Sequence, residues 1–258
     1  SILMWFEGHL ETWQETPDDN TVKFFKENEN LGPVDFTKID DPSVLSGWRD
    51  EQDPDWIMDH TKFPWITIDE INVPWKDIYE EANHLLYTAC YTLHRPMASG
   101  WLSLAIHGIS SVHTNCAEDY NLPEDYEQTH SRWTDIADLC PRTKEWMMDE
   151  MLYDKFMRVR FMAILPGGWL GAHRDRPRIT GVGATNVAIN NPDGCDFVMG
   201  GWGKVDWEPG VAKKMNTGYE HAVWNRSEEP RIHMIFDGQP GDVFKEQVNR
   251  GYARMLGA

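Results

Sequence analysis

The chain has 258 residues, 41% hydrophobic and 26% charged, enough to bury a substantial core as one large domain or two small ones. No run approaches the roughly 18 consecutive apolar residues of a membrane span, and the opening stretch SILMWFEGH reaches Glu7 without a basic region, so it does not read as a secretory signal. The formal charge of −18 is unevenly spread, with 30 acids against 10 Lys and Arg in residues 1 to 150 and 12 against 14 in residues 151 to 258; a surface this acidic repels phosphate backbones and argues against a nucleic-acid partner.

The plain meaning of that asymmetry is solubility. A sharper one is that the acidic half faces a cationic partner while the other half holds an anionic small molecule. Cys90, Cys116, Cys140 and Cys195 are dispersed and form no C-x-x-C or zinc-knuckle pattern. They read as buried thiols in a reducing, cytoplasmic compartment, with two disulfides left as the arithmetical alternative.

In chain order, residues 1 to 75 are broken by TPDDN, LGP, DDPS, DEQDPDW and INVPW, and carry Trp5, Trp13, Trp48, Trp56, Trp65 and Trp75. This predicts an irregular, Trp-rich extension with one or two short elements, its indoles pinning the chain onto the core. From residue 76 onward the pattern is that of a single β domain with supporting helices. WKDIYEEANHLLYT places Ile78, Ala82, Leu85 and Leu86 on one side of a helix. GWLSLAIHGIS is an apolar strand, and a second helix begins near Pro141 or Arg142, where a first-turn proline breaks no hydrogen bond. After residue 156 the period changes to two. KFMRVRFMAILPGG should end in a Gly-Gly turn, and GATNVAIN, CDFVMGG, GVAKKMNTG, HAVWN and PRIHMIFD are further short strands between turn residues. Short strands without long helical crossovers predict a mainly β fold of two packed sheets, a jelly roll.

His173 and Asp175 lie two residues apart, so on an extended strand both side chains point one way. His221 opens a later strand, and antiparallel pairing can bring it beside them. Two imidazoles and a carboxylate form the facial triad that holds non-haem Fe(II) with open coordination positions. The same donors suit Zn(II) and a hydrolytic water. On spacing alone, His173 and Asp175 also read as turn residues paired with arginines, with His221 packed against Trp224. Arg174, Arg176 and Arg178 either receive an acidic substrate or neutralise neighbouring carboxylates. Trp169, Trp202, Trp207 and Trp224 are candidates for a hydrophobic wall or, equally, for the β core.

The C-terminal stretch resembles the aspartyl/asparaginyl β-hydroxylase-like group of Fe(II)/2-oxoglutarate oxygenases, which includes proline hydroxylase-like members. RFMAILPGGWLGAHRD is similar to the strand and turn carrying the proximal ligands, and HAVWNRSEEPRIHMIFD to the distal histidine strand followed by the cosubstrate arginine. The resemblance implies a double-stranded β-helix, cupin-like fold. It implies His173, Asp175 and His221 as Fe(II) ligands, and Arg231, ten residues after His221, as the partner of the distal carboxylate of 2-oxoglutarate. Arginine suits that role because its planar fork binds a carboxylate through two hydrogen bonds. Some members, the animal aspartyl hydroxylase among them, lack the acidic ligand, whereas Asp175 is present here. Thr185 and Asn186 stand where the group has further basic and imidazole contacts to the cosubstrate, so the substrate is not carried over. The implied activity is a dioxygenase reaction, with 2-oxoglutarate and O2 as cosubstrates, hydroxylating an amino acid or an amino-acid side chain in a peptide. Arg176, Arg178, Trp202 and Trp224 are the substrate-side candidates. A protein or acyl-lipid substrate, and a non-catalytic metal-binding interaction module, are the alternatives.

Overall fold

The computed structural model describes residues 16–32, 63–88, 91–93, 98–175, 184–255 and 257. Trp5, Trp13, Trp48, Trp56, Cys90, Arg176 and Arg178 lie outside the described residues, and so do the expectations attached to them.

The first element is helix α1 (Asp19–Asn28), capped by Asp18, whose side chain accepts from the Thr21 amide at 2.8 Å. Strand β1 (Trp65–Ile68) follows, then α2 (Trp75–Tyr87), the short β2 (Thr92–Leu93) and β3 (Ala98–Gly108). Ile78, Ala82, Leu85 and Leu86 are all buried, as the helical spacing predicts. The single turn and a half of α3 (Tyr126–His130), the short β4 (Arg132–Trp133) and α4 (Pro141–Glu150) complete the support layer. Pro141 occupies the first turn of α4, and the buried Glu81 of α2 caps that turn, accepting from the Arg142 and Thr143 amides at 2.9 Å each and from the Thr143 hydroxyl at 2.6 Å.

The β domain runs β5 (Tyr153–His173), β6 (Thr185–Ala188), β7 (Cys195–Met199), β8 (Gly203–Lys204), β9 (Ala212–Met215), β10 (His221–Asn225) and β11 (Arg231–Pro240), and α5 (Asp242–Met255) closes the chain. The strands form one curled antiparallel sheet in the order β1-β9-β6-β11-β5-β10-β7-β8, with β3 laid against β5. This is the half-barrel of a double-stranded β-helix with flanking helices. Its edge strand β1 comes from within the first 75 residues, from the segment read as an extension.

Strand β5 does not stop at its Gly-Gly pair. Gly167 takes φ +74°, and a Cβ on Gly168 would lie 2.8 Å from both the Leu165 and Ser99 carbonyl oxygens. The pair bends a continuous strand, which pairs with β11 before the bend and with β10 after it. The expected terminating turn is therefore a kink that carries one strand from one wall of the barrel to the other.

Period-two alternation then sorts side chains into two cores. Ile232, Met234 and Phe236 of β11 join Ile78 and Leu85 of α2 and Phe244 of α5 outside the barrel. Met162, Ile164, Phe197, Met199, Trp207 and Val223 fill its interior. A third cluster, Phe24, Phe25, Val198 and Ala222, lies under α1 on the outer face of β7 and β10. Cys116, Cys140 and Cys195 are free thiols, and burial pushes the Cys140 thiol up to about 12. No helix among the described residues is long and apolar enough to cross a membrane.

Candidate metal centre

His173 is the last residue of β5, and the Asp175 amide donates to the Thr217 carbonyl at 2.9 Å, which holds the chain just past the strand end. His221, the first residue of β10, is the direct partner of His173 across the antiparallel pair. Their rings lie 4.4 Å apart, and Asp175 Oδ1 is 3.2 Å from His173 Nε2. One ligand atom from each of the three residues falls within 4.8 Å of the others. Among the described residues no other group of three His, Cys, Asp or Glu side chains converges in this way.

The hydrogen bonds orient both imidazoles. His173 Nδ1 is 2.7 Å from the Gly171 carbonyl and His221 Nδ1 is 2.9 Å from the Tyr219 carbonyl. A carbonyl only accepts, so each ring donates from Nδ1, which leaves Nε2 as the nitrogen turned toward the group and available to a metal. Phe197 stacks on His221 with centroids 5.8 Å apart and planes 13° from parallel, which limits rotation of that ring. Two imidazoles and one carboxylate are the donor set that fits Fe(II) bound on one face.

The strand after His221 begins under tight control. Asn225 Nδ2 donates to the Ile164 and Glu229 carbonyls at 2.9 and 2.7 Å, clamping the turn between β10 and β11. Asn190 then accepts from the Ile232 amide at 2.6 Å and donates to the Pro230 carbonyl at 2.8 Å. Arg231 is thereby set as the first residue of β11, facing into the barrel beside Cys195. The residue is 3% exposed, its Nη1 has no hydrogen-bond partner, and it makes no ion pair among the described residues. Burial lowers its pKa, with the Cys195 thiol as the opposing influence, but a guanidinium stays charged under any ordinary condition. A buried cation without a counterion is costly, and a carboxylate group is the natural complement.

Arg226, a second arginine near this turn, is already taken: it pairs with Glu29 at 2.8 Å and Asp196 at 2.7 Å and lies 4.8 Å over the Trp224 ring. Of the two candidates on β6, Asn186 turns inward, its Oδ1 2.8 Å from His233 Nδ1. Thr185 faces the opposite side, where its hydroxyl bonds the Tyr153 hydroxyl at 2.9 Å under α5. A strand alternates its faces, so the adjacent pair cannot both face the interior, and Thr185 is removed from the cosubstrate set. Trp224 is likewise on the outer face of β10, packed edge-on against Phe25 of α1 at 5.6 Å, and does not line the interior. Trp202 stays near the metal side, edge-on to Tyr219 at 5.8 Å.

His233 and Lys213 are further buried polar residues of the interior. His233, two residues beyond Arg231 and therefore on the same face, is 0% exposed, and burial followed by the neighbouring Arg231 holds its imidazole well below the usual histidine range. Lys213 of β9 is 1% exposed, bonded to Thr67 Oγ1 at 2.7 Å and Asp206 Oδ1 at 3.1 Å, with its ammonium 5.5 Å from the Trp207 ring. His233 was accessible from spacing alone, since it repeats the i, i+2 relation that singled out Asp175. Lys213 carried no such signal.

The sequence pattern of the aspartyl/asparaginyl β-hydroxylase family matches residues 74–240, a span containing the triad and Arg231. No curated protein matches the chain. Among solved structures it is similar to a prolyl-4-hydroxylase from Pseudomonas putida (14% identity over 72% of this chain and 97% of that one, TM-score 0.44). It is also similar to a viral collagen prolyl hydroxylase of Paramecium bursaria Chlorella virus-1 (13% identity, 69% and 97%, TM-score 0.40). A third is a Trichoplax adhaerens prolyl hydroxylase solved with a hypoxia inducible factor oxygen degradation domain peptide fragment (8% identity, 77% and 90%, TM-score 0.42).

Proposed function

The chain belongs to the aspartyl/asparaginyl β-hydroxylase family, and from that premise we propose that it hydroxylates an amino acid, or an amino-acid side chain in a short peptide, using 2-oxoglutarate and O2. The overall change is substrate C–H plus 2-oxoglutarate plus O2 to substrate C–OH plus succinate plus CO2. Iron, when bound, supplies the redox chemistry that divides the two oxygen atoms between succinate and product. The protein's own part is to bind and orient. His173, Asp175 and His221 would hold the metal, and Arg231 would draw the distal carboxylate of the cosubstrate into the barrel.

The observation that carries this reading is Arg231, a buried cation with an unpartnered Nη1 on the strand next after the one that bears His221. It calls for an anion in the same interior as the triad, and a keto acid with a second carboxylate supplies one. On the substrate side, Trp202 meets Tyr219, two residues before His221, edge to face, and the pair offers an apolar surface near the triad.

A succinate-release screen over free amino acids, short peptides and acyl-lipid fragments, read with mass spectrometry for a gain of one oxygen, tests the proposal. Hydroxylation of an amino acid or short peptide is the expected outcome. Turnover confined to an intact protein or a lipid would overturn the substrate class, and metal binding without any succinate release would point to an interaction module.

A further inference from the structure

Beyond Arg231, the buried polar atoms without a hydrogen-bond partner in the barrel interior include Nε2 of His233 and Nε1 of Trp207. The two rings meet edge to face with centroids 4.8 Å apart, and His233 shares a strand face with Arg231 two residues away. All three side chains are more than nine-tenths buried, at 3% for Arg231, 0% for His233 and 7% for Trp207. Native interiors rarely leave buried polar side-chain atoms unpaired, and three on one wall call for a shared partner.

We propose that Trp207 and His233 complete the cosubstrate anchor, with Trp207 Nε1–H and His233 Nε2–H donating beside Arg231 to the distal carboxylate of 2-oxoglutarate. This rests on the reading of the site given above and adds two residues to it.

The chemistry of each group fits. Indole N–H is a donor only, so Trp207 can serve an anion and cannot repel it. His233 is neutral, and its Nδ1 faces the Asn186 side chain at 2.8 Å. A primary amide can turn either its carbonyl or its NH2 end to that nitrogen, so Asn186 can accept from Nδ1–H or donate to a bare Nδ1. In the second arrangement His233 carries its proton on Nε2 and points a donor at the carboxylate. Asn186 thus acts through His233 as a positioning residue. Phe197 ties the wall to the metal side, since its ring lies 6.3 Å from Trp207 and stacks on His221. A ligand that reaches from the triad to Arg231 therefore passes an apolar ring and ends against three donors.

The test is anaerobic calorimetric titration of the Mn(II)-loaded protein with 2-oxoglutarate, and with 2-oxopentanoate, which has the same carbon chain but a methyl group in place of the distal carboxylate. Trp207→Phe keeps an aromatic ring at the position and removes the N–H, and 2-oxopentanoate controls for the smaller ring. His233→Leu removes both ring nitrogens. Each should weaken 2-oxoglutarate by about tenfold to a hundredfold, the range for losing a hydrogen bond to a charged group, while 2-oxopentanoate binding stays within about twofold of wild type. Should His233→Leu fail to fold, Trp207→Phe decides alone. Unchanged 2-oxoglutarate affinity, or equal weakening of both ligands, would overturn the proposal while leaving Arg231 as the anchor. A wild-type protein that binds Mn(II) but not 2-oxoglutarate would overturn the underlying reading as well.

Discussion

His221 stands directly across an antiparallel strand pair from His173, their rings 4.4 Å apart and each tied through Nδ1 to a main-chain carbonyl two residues before it. Two short-range contacts therefore set the orientation of both imidazoles. His173→Ala or His221→Ala should each lower anaerobic Fe(II) affinity by more than the ~10–100-fold that loss of an outer partner costs. Asp175→Ala should retain measurable binding through the two histidines. Equilibrium dialysis with iron quantification checks the order, and an Asp175→Ala loss larger than that of His221→Ala would contradict it.

The proposed anchor, Arg231, has its own signature. Arg231→Ala should weaken 2-oxoglutarate by roughly 30-fold or more, since removing one partner of a buried charge pair costs about 2–5 kcal/mol, with little change in metal affinity. Arg231→Lys should recover part of the loss, because an ammonium supplies the charge but not the planar fork. A 2-oxoglutarate titration of the metal-loaded variants measures both, and full recovery by lysine would argue against paired hydrogen bonding.

Much of this site was legible in the sequence because its parts are local in register. His173 and Asp175 are read from the i, i+2 rule, and Arg231 from its distance to His221 and from the resemblance. What period two does not disclose is its phase. Thr185 and Asn186 are adjacent, and only the pairing of β6 with β11, which aligns Asn186 with Ile235 and His233 with Ala188, decides that Asn186 faces inward. Trp224 failed as a wall residue for the same reason, because its neighbour Val223 took the interior face. Beyond Asp237 no pattern marks an element, yet α5 is a fourteen-residue helix. Its Gly251 lets the helix approach β1, a Cβ there lying only 2.3 Å from the Thr67 carbonyl oxygen.

Helix α1 lies outside the span matched by the family pattern, yet it touches the ligand strand. Thr21 Oγ1 accepts from the Ala172 amide at 3.0 Å, one residue before His173, and Phe25 is buried against Trp224 and Arg226. Thr21→Val should speed hydrogen exchange at the Ala172 amide, which loses its acceptor. Phe25→Ala should lower stability by about 3 kcal/mol, the low end for a large buried ring, and weaken Fe(II) binding less than His173→Ala does. Exchange mass spectrometry and urea denaturation provide the readings, and unaltered exchange at Ala172 in Thr21→Val would separate α1 from the metal strand.

The kink in β5 is a packing requirement. Gly168→Ala must push a methyl group toward two carbonyl oxygens at 2.8 Å, so it should cost about 1–3 kcal/mol and disturb the strand segment that ends in His173. A urea midpoint equal to that of wild type would show that the bend relaxes freely.

The most direct measurement of the central claim is the absorption spectrum of the Fe(II)-loaded protein under anaerobic conditions as 2-oxoglutarate is added. A keto acid chelated to iron at the triad gives a weak visible charge-transfer band. Wild type should show that band, His221→Ala should lose it, and Arg231→Ala should show it only at higher 2-oxoglutarate. No band in wild type, or equal bands in wild type and His221→Ala, would contradict the central claim.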